Sequence, residues 1–109
     1  MRTGLPTAVV VLVLAGCSQS DEAAQPVRTT EVLMPKSYRF DPKTIEVDAG
    51  ATVTWRNEDN FTHTVEVEGR EDLKVERGES VSVTFSEPGT YDYVCSLHSH
   101  DMRGEVIVR

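Results

Sequence analysis

From Glu31 to the end of the chain the apolar residues fall on every second position, and turn-forming residues cut the runs at short intervals. Ile45 and Val47, Val53 and Trp55, Val65 and Val67, Val81, Val83 and Phe85, and Val106 and Val108 each repeat in this way. Successive side chains of a strand point to opposite faces, so each set shares one sheet face. A period of two with no stretch at 3.6 supports no helix and predicts a β-sandwich or barrel. The predicted strands are Glu31 to Met34, Thr44 to Val47, Thr52 to Asn57, His63 to Glu68, Leu73 to Val75, Ser80 to Phe85, Gly89 to Cys95 and Gly104 to Arg109. Between them, Asp48-Ala-Gly50, Arg77-Gly78, Glu87-Pro-Gly89 and Asp101 to Gly104 carry turn chemistry. The alternating sets are the predicted core, with Trp55 as an anchor.

The first 16 residues follow a different rule. Arg2 precedes a continuous apolar run, Ala8 to Leu14, which ends in Leu14-Ala15-Gly16-Cys17. Such a run is a secretory signal, too short to span a bilayer. Small residues directly before a cysteine resemble the bacterial lipobox, which implies cleavage before Cys17 and lipid on its sulfur and new amino group. The plainer alternative is a soluble signal peptide with a chance cysteine, and the flanking pattern favours the lipoprotein. Residues 1–16 are thus read as a signal peptide, 17–30 as a lipidated N-terminus and flexible tether, and 31–109 as one domain. The stretch from Ser18 to Thr30 is polar, lacks an apolar period and contains Pro26, which suits a tether. The expected location is lipid-anchored at the outer face of the cytoplasmic membrane, or in the periplasm or outer membrane.

A chain of 109 residues leaves room for one modest core and excludes a multidomain enzyme. Two cysteines in an exported protein suggest a disulfide by default. Here Cys17 belongs to the lipobox and Cys95 to a loop of metal-binding side chains, so no disulfide is expected. Arg2 is the one charged residue lost with the signal, leaving 10 Lys+Arg against 18 Asp+Glu, a formal −8. Nucleic acid does not suit such a chain, whereas a partner with a basic docking surface does. Glu66, Glu68, Glu71, Asp72, Glu76 and Glu79 are read as a solvated acidic face.

The chemistry lies in Tyr91-Asp-Tyr-Val-Cys95-Ser-Leu-His98-Ser-His100-Asp-Met102-Arg-Gly104 and in His63, which ends a polar loop from Asn57. A thiolate and a thioether are soft donors and imidazoles are borderline; two His and one Cys with a weak axial Met form the blue-copper arrangement. Alone, Cys95 would be an inert buried hydrophobe, His63 a solvated surface group and Met102 a gap-filler in the core. Together on one tight loop and an adjoining strand they point to a single copper ion. His98 and His100 compete for the second imidazole, and the three-residue spacing from Cys95 favours His98. Zinc takes Cys and His as well, but a thioether fourth ligand speaks against it.

The sequence resembles the small cupredoxins of the plastocyanin, amicyanin and pseudoazurin type. The resemblance covers about residues 30–109 and rests on Tyr38-Arg-Phe40-Asp-Pro42 with Ile45-Glu-Val47, Gly50-Ala-Thr-Val53-Thr-Trp55-Arg-Asn57, His63-Thr-Val65, and Tyr91 to Gly104. It implies a Greek-key β-sandwich of seven or eight strands with one type 1 copper, held equatorially by His63, Cys95 and His98 and axially by Met102. It further implies that the edge of His98 surfaces through an apolar patch and passes the electron. By analogy the Thr64 amide bonds the Cys95 sulfur and the Thr64 hydroxyl braces the backbone near Ser96. Two features depart from the pattern. The gap between His98 and Met102 is three residues, between the amicyanin and plastocyanin spacings. Leu97 stands where those loops tend to carry Pro, which restores a backbone donor near the sulfur and would tend to raise the potential.

The expected function is a monomeric, membrane-tethered carrier of single electrons between redox proteins. A second expectation is a copper-binding protein for buffering or delivery, but such a carrier wants a site richer in Met or His than this one. A copper oxidase or nitrite reductase needs further His ligands, and the chain has only His63, His98 and His100. A binuclear copper centre needs a second loop cysteine, and position 99 is Ser.

Overall fold

The computed structural model describes residues 25–109, so the predicted signal and the lipidation site at Cys17 lie outside the described residues. Among the described residues nine strands form two sheets: β1 (Val27–Arg28), β2 (Glu31–Met34), β3 (Thr44–Val47), β4 (Ala51–Asn57), β5 (His63–Val67), β6 (Asp72–Val75), β7 (Ser80–Phe85), β8 (Gly89–Val94) and β9 (Arg103–Val108). One sheet has the order β1-β3-β9-β8-β5-β6, the other β2-β4-β7. Among the described residues, a short 3₁₀ turn over Ser96–His98 is the only helical piece.

Period two explains the layering. Val32, Met34, Val53, Trp55 and Phe85 from the small sheet meet Ile45, Val47, Val65, Val67, Tyr93, Val106 and Val108 from the large one, all buried. Trp55 is the centre of this layer, its ring edge-on to Tyr93 at 5.1 Å between centroids, with Phe40 closing the other side of Tyr93 at 4.7 Å. On the outer face of the small sheet the alternate positions are polar, and Thr52 with Thr84 and Thr54 with Ser82 pair hydroxyls across β4 and β7. Val81 and Val83, predicted as core, are only partly buried against it.

Gly104 is required by a close approach. A Cβ there would stand 2.4 Å from the Tyr93 ring and 2.7 Å from the Lys43 carbonyl oxygen. Gly50 serves the turn into β4, with a φ of +95° that glycine alone adopts freely.

Two features of the connectivity position the site. β5 begins at His63, β8 runs into Cys95, and β9 follows Met102, so these residues gather at one end of the sandwich. β3 is parallel to β9, and β1 is parallel to β3 with Val27 opposite Ile45. The chain therefore enters the large sheet from that same end. This ninth strand was not predicted: it lies inside the segment read as tether, because a pairing of two exposed residues leaves no apolar period to detect.

Candidate metal centre

His63 opens β5 and is fully buried, with Nδ1 3.8 Å from the Cys95 sulfur. Cys95 is free and fully buried. One donor atom each from His63, Cys95 and His98 lie within 4.8 Å of one another, a span that one transition-metal ion can bridge. His98 is half-buried and its donor atom joins this cluster, whereas His100 is exposed and lies outside it.

That turn closes through its own backbone. The amide of His98 donates to the Cys95 carbonyl and that of Met102 to the His98 carbonyl, each over 3.0 Å. The Cys95 amide in turn donates to the Met102 carbonyl, so the loop is hydrogen-bonded at both ends. Met102 is fully buried in a loop of mostly polar residues. Arg103 Nε caps the exposed Ser99 carbonyl at 2.7 Å.

The Thr64 amide donates to the Cys95 sulfur at 3.4 Å, and the Thr64 hydroxyl accepts from the Ser96 amide at 2.7 Å. The same hydroxyl meets Ser96 Oγ at 2.9 Å, and Ser96 Oγ donates to Asp72 at 2.7 Å. Both roles expected of Thr64 are present. The second sulfur donor expected at Leu97 is not: among the described residues the Thr64 amide is the one backbone donor to Sγ. The 3₁₀ turn closes from His98 to the Cys95 carbonyl and leaves Leu97 exposed.

Sequence reading missed the other side of His63. Asp59, almost fully buried, places Oδ2 2.8 Å from His63 Nε2 and accepts the Asn60 amide at 2.7 Å. Burial pushes the Asp59 carboxyl up, but the hydrogen bond to His63, the Asn60 amide and the attraction of His63 and Lys36 outweigh it and hold it below the ordinary range. Asn57, also buried, fixes the loop, donating to the carbonyls of Phe61 and Val75 and accepting the Asp59 amide. The available signal was a carboxylate four residues before a candidate ligand. In a loop that spacing implies no contact.

The rim is aromatic. The Tyr38 ring stands edge-on to His98 at 4.6 Å and stacks on Phe61 at 5.6 Å. Tyr38, Phe61 and Leu97 are three of the four exposed large hydrophobic residues among those described. Tyr38 holds a positive φ of 54°, rare for an aromatic residue.

This donor set suits copper. A buried thiolate beside two imidazoles, with a methionine in the same loop, matches the preferences of a soft to borderline ion that needs few ligands. The family profile described as a cupredoxin-like domain matches residues 6–108. The chain belongs to the cupredoxin-like family. It is 33% identical over 101 residues to amicyanin-alpha of Methylorubrum extorquens, covering 86% of this chain and 82% of that protein. A structure of the Cu(I) form of an amicyanin mutant superimposes with a TM-score of 0.63 at 35% identity, over 81% of this chain and 87% of that one. A purple cupredoxin from Nitrosopumilus maritimus reaches a TM-score of 0.68 at 24% identity over 74% of this chain and all of that one, which speaks to the fold. This cupredoxin is a small type 1 copper protein of the blue-copper electron-carrier class.

Proposed function

We propose that the cupredoxin is a membrane-tethered shuttle of single electrons, whose copper would be held by His63, Cys95 and His98 with Met102 as a weaker fourth donor. The observation that carries this reading is the convergence of three donor atoms within 4.8 Å, two of them on fully buried residues. Bound there, copper supplies one-electron chemistry by alternating between Cu(II) and Cu(I). The chain's part is to keep its donors still. Thr64 pins the sulfur, the closed loop pins His98 and Met102, and Asp59 pins His63, so little reorganises between oxidation states. Water is excluded from Cys95 and His63, while His98 reaches the rim between Tyr38 and Leu97. The apolar rim suits brief contact with a redox protein, and the formal −8 of the processed chain suits one with a basic docking surface.

The tethering half of the proposal rests on Leu14-Ala15-Gly16-Cys17 and gains support from the direction of β1. Because the chain enters from the metal end, an acyl group at Cys17 holds that end near the bilayer. The eight residues 17–24 span at most about 29 Å when fully extended. A partner in the same membrane is then within reach of the copper rim.

Adding Cu(II) to the purified protein is expected to give an intense visible band that ascorbate bleaches. Fast electron self-exchange with slow copper release to a chelator supports the shuttle, and the reverse supports copper delivery. Mass spectrometry of the membrane-extracted protein is expected to show an acylated N-terminal Cys17, and an unmodified, soluble chain would refute the anchor.

A further inference from the structure

The contact between Asp59 and His63 reaches beyond the ligand set. A neutral imidazole carries one proton, and whichever nitrogen is bonded to an acceptor keeps it. Asp59 Oδ2 lies 2.8 Å from Nε2, while Nδ1 is the nitrogen that faces the Cys95 sulfur. Asp59 is only 3% exposed, and its loop is locked by Asn57, so neither partner can turn away. A charge in such surroundings is weakly screened by water or salt.

We propose that Asp59 is the positioning residue of the centre: its buried carboxylate keeps the proton on His63 Nε2, leaves Nδ1 free for the metal, and favours the doubly charged over the singly charged ion. This rests on the copper reading above. Partners of this kind at the remote nitrogen of a ligating histidine orient the ring and raise its basicity. The added negative charge stabilises Cu(II) more than Cu(I), so Asp59 lowers the reduction potential.

The test is the copper-loaded Asp59→Asn variant, nearly identical in shape and uncharged. Competition with Cu(II) and Cu(I) chelators is expected to show the affinity ratio of Cu(II) to Cu(I) falling about tenfold, which equals a rise of about 59 mV for one electron. The visible band is expected to persist. Glu58→Gln removes the neighbouring carboxylate, which is half exposed and paired with Arg56, and is expected to change the ratio less than twofold. An unchanged ratio in Asp59→Asn, or an equal change in both variants, overturns the proposal. Should Asp59→Asn fail to fold or to bind copper, NMR of the reduced wild-type protein decides: a His63 Nε2 proton shifted well downfield by its bond to the carboxylate supports it, and a proton at the ordinary imidazole position overturns it. A wild-type protein without the visible band would sink the copper reading itself, a result distinct from these.

Discussion

Thr64 reaches Cys95 by two routes, its amide donating to the sulfur at 3.4 Å and its hydroxyl accepting the amide of the next residue, Ser96, at 2.7 Å. One residue on β5 therefore fixes both the sulfur and the start of the loop that follows it. Thr64→Ala keeps the first bond and loses the second, leaving a part-buried amide that water can reach. A loss of about 1 kcal/mol is expected in denaturant unfolding, with a broadened visible band.

The donor set is tested by removal. Cys95→Ser and His98→Ala are expected to abolish the intense visible band of the copper-loaded protein, while His100→Ala leaves it in place, since His100 is exposed and outside the cluster. Absorption spectra of the three variants check this, and a colourless His100→Ala protein would contradict the assignment.

Gly104 admits no side chain. In Gly104→Ala the new methyl meets the Tyr93 ring and the Lys43 carbonyl, and a backbone atom cannot swing aside. The expected cost is about 1–3 kcal/mol, read as a lowered melting temperature. Adding Tyr93→Phe is not expected to restore it, because the ring carbon and the Lys43 oxygen remain in place.

The exposed rim is expected to govern encounter more than potential. Phe61→Glu and Leu97→Glu put negative charge where two copies must meet face to face for self-exchange. Like charges brought together there repel, so the self-exchange rate is expected to fall about tenfold at low salt and to recover at high salt. The visible spectrum, set by the metal's own donors and not by these two side chains, is expected to stay the same.

Acid is expected to loosen the end opposite the metal. Glu46 lies 2.9 Å from Arg109 and 3.7 Å from Arg28, and the hydrogen bond to Arg109 draws its carboxyl below the ordinary value of 4.5. A carboxyl depressed in the folded state stabilises it above the unfolded value, and that stability is lost as pH falls through the folded one. Unfolding of the metal-free protein against pH is expected to show a decline starting below 4.5, shallower in Glu46→Gln. Because both arginines are exposed, salt is expected to diminish the difference.

Most of the sandwich is legible in the sequence. Eight of nine strands lie within a residue or two of their predicted spans, since period two and turn residues are local signals. β1 was not legible, because Val27 and Arg28 are exposed and owe their strand to β3, a partner distant in sequence. The burial of Val32, Phe40 and Val75 was missed for a related reason. Each sits in a run too short or too irregular to show an alternation.

What the sequence determined by itself was chemical identity and local spacing: a thiolate, imidazoles and a thioether on one short loop, and an alternating pattern that forces strands. What only the tertiary structure decided was orientation across gaps in sequence. It brought His98, and not His100, to His63 and Cys95, gave the sulfur its Thr64 donor without a second from Leu97, and set Asp59 against the far nitrogen of His63. The division has a physical reason. Donor softness and strand period belong to residues and their neighbours, whereas a hydrogen bond between β5 and the loop after β8 exists only once both are packed on the same core.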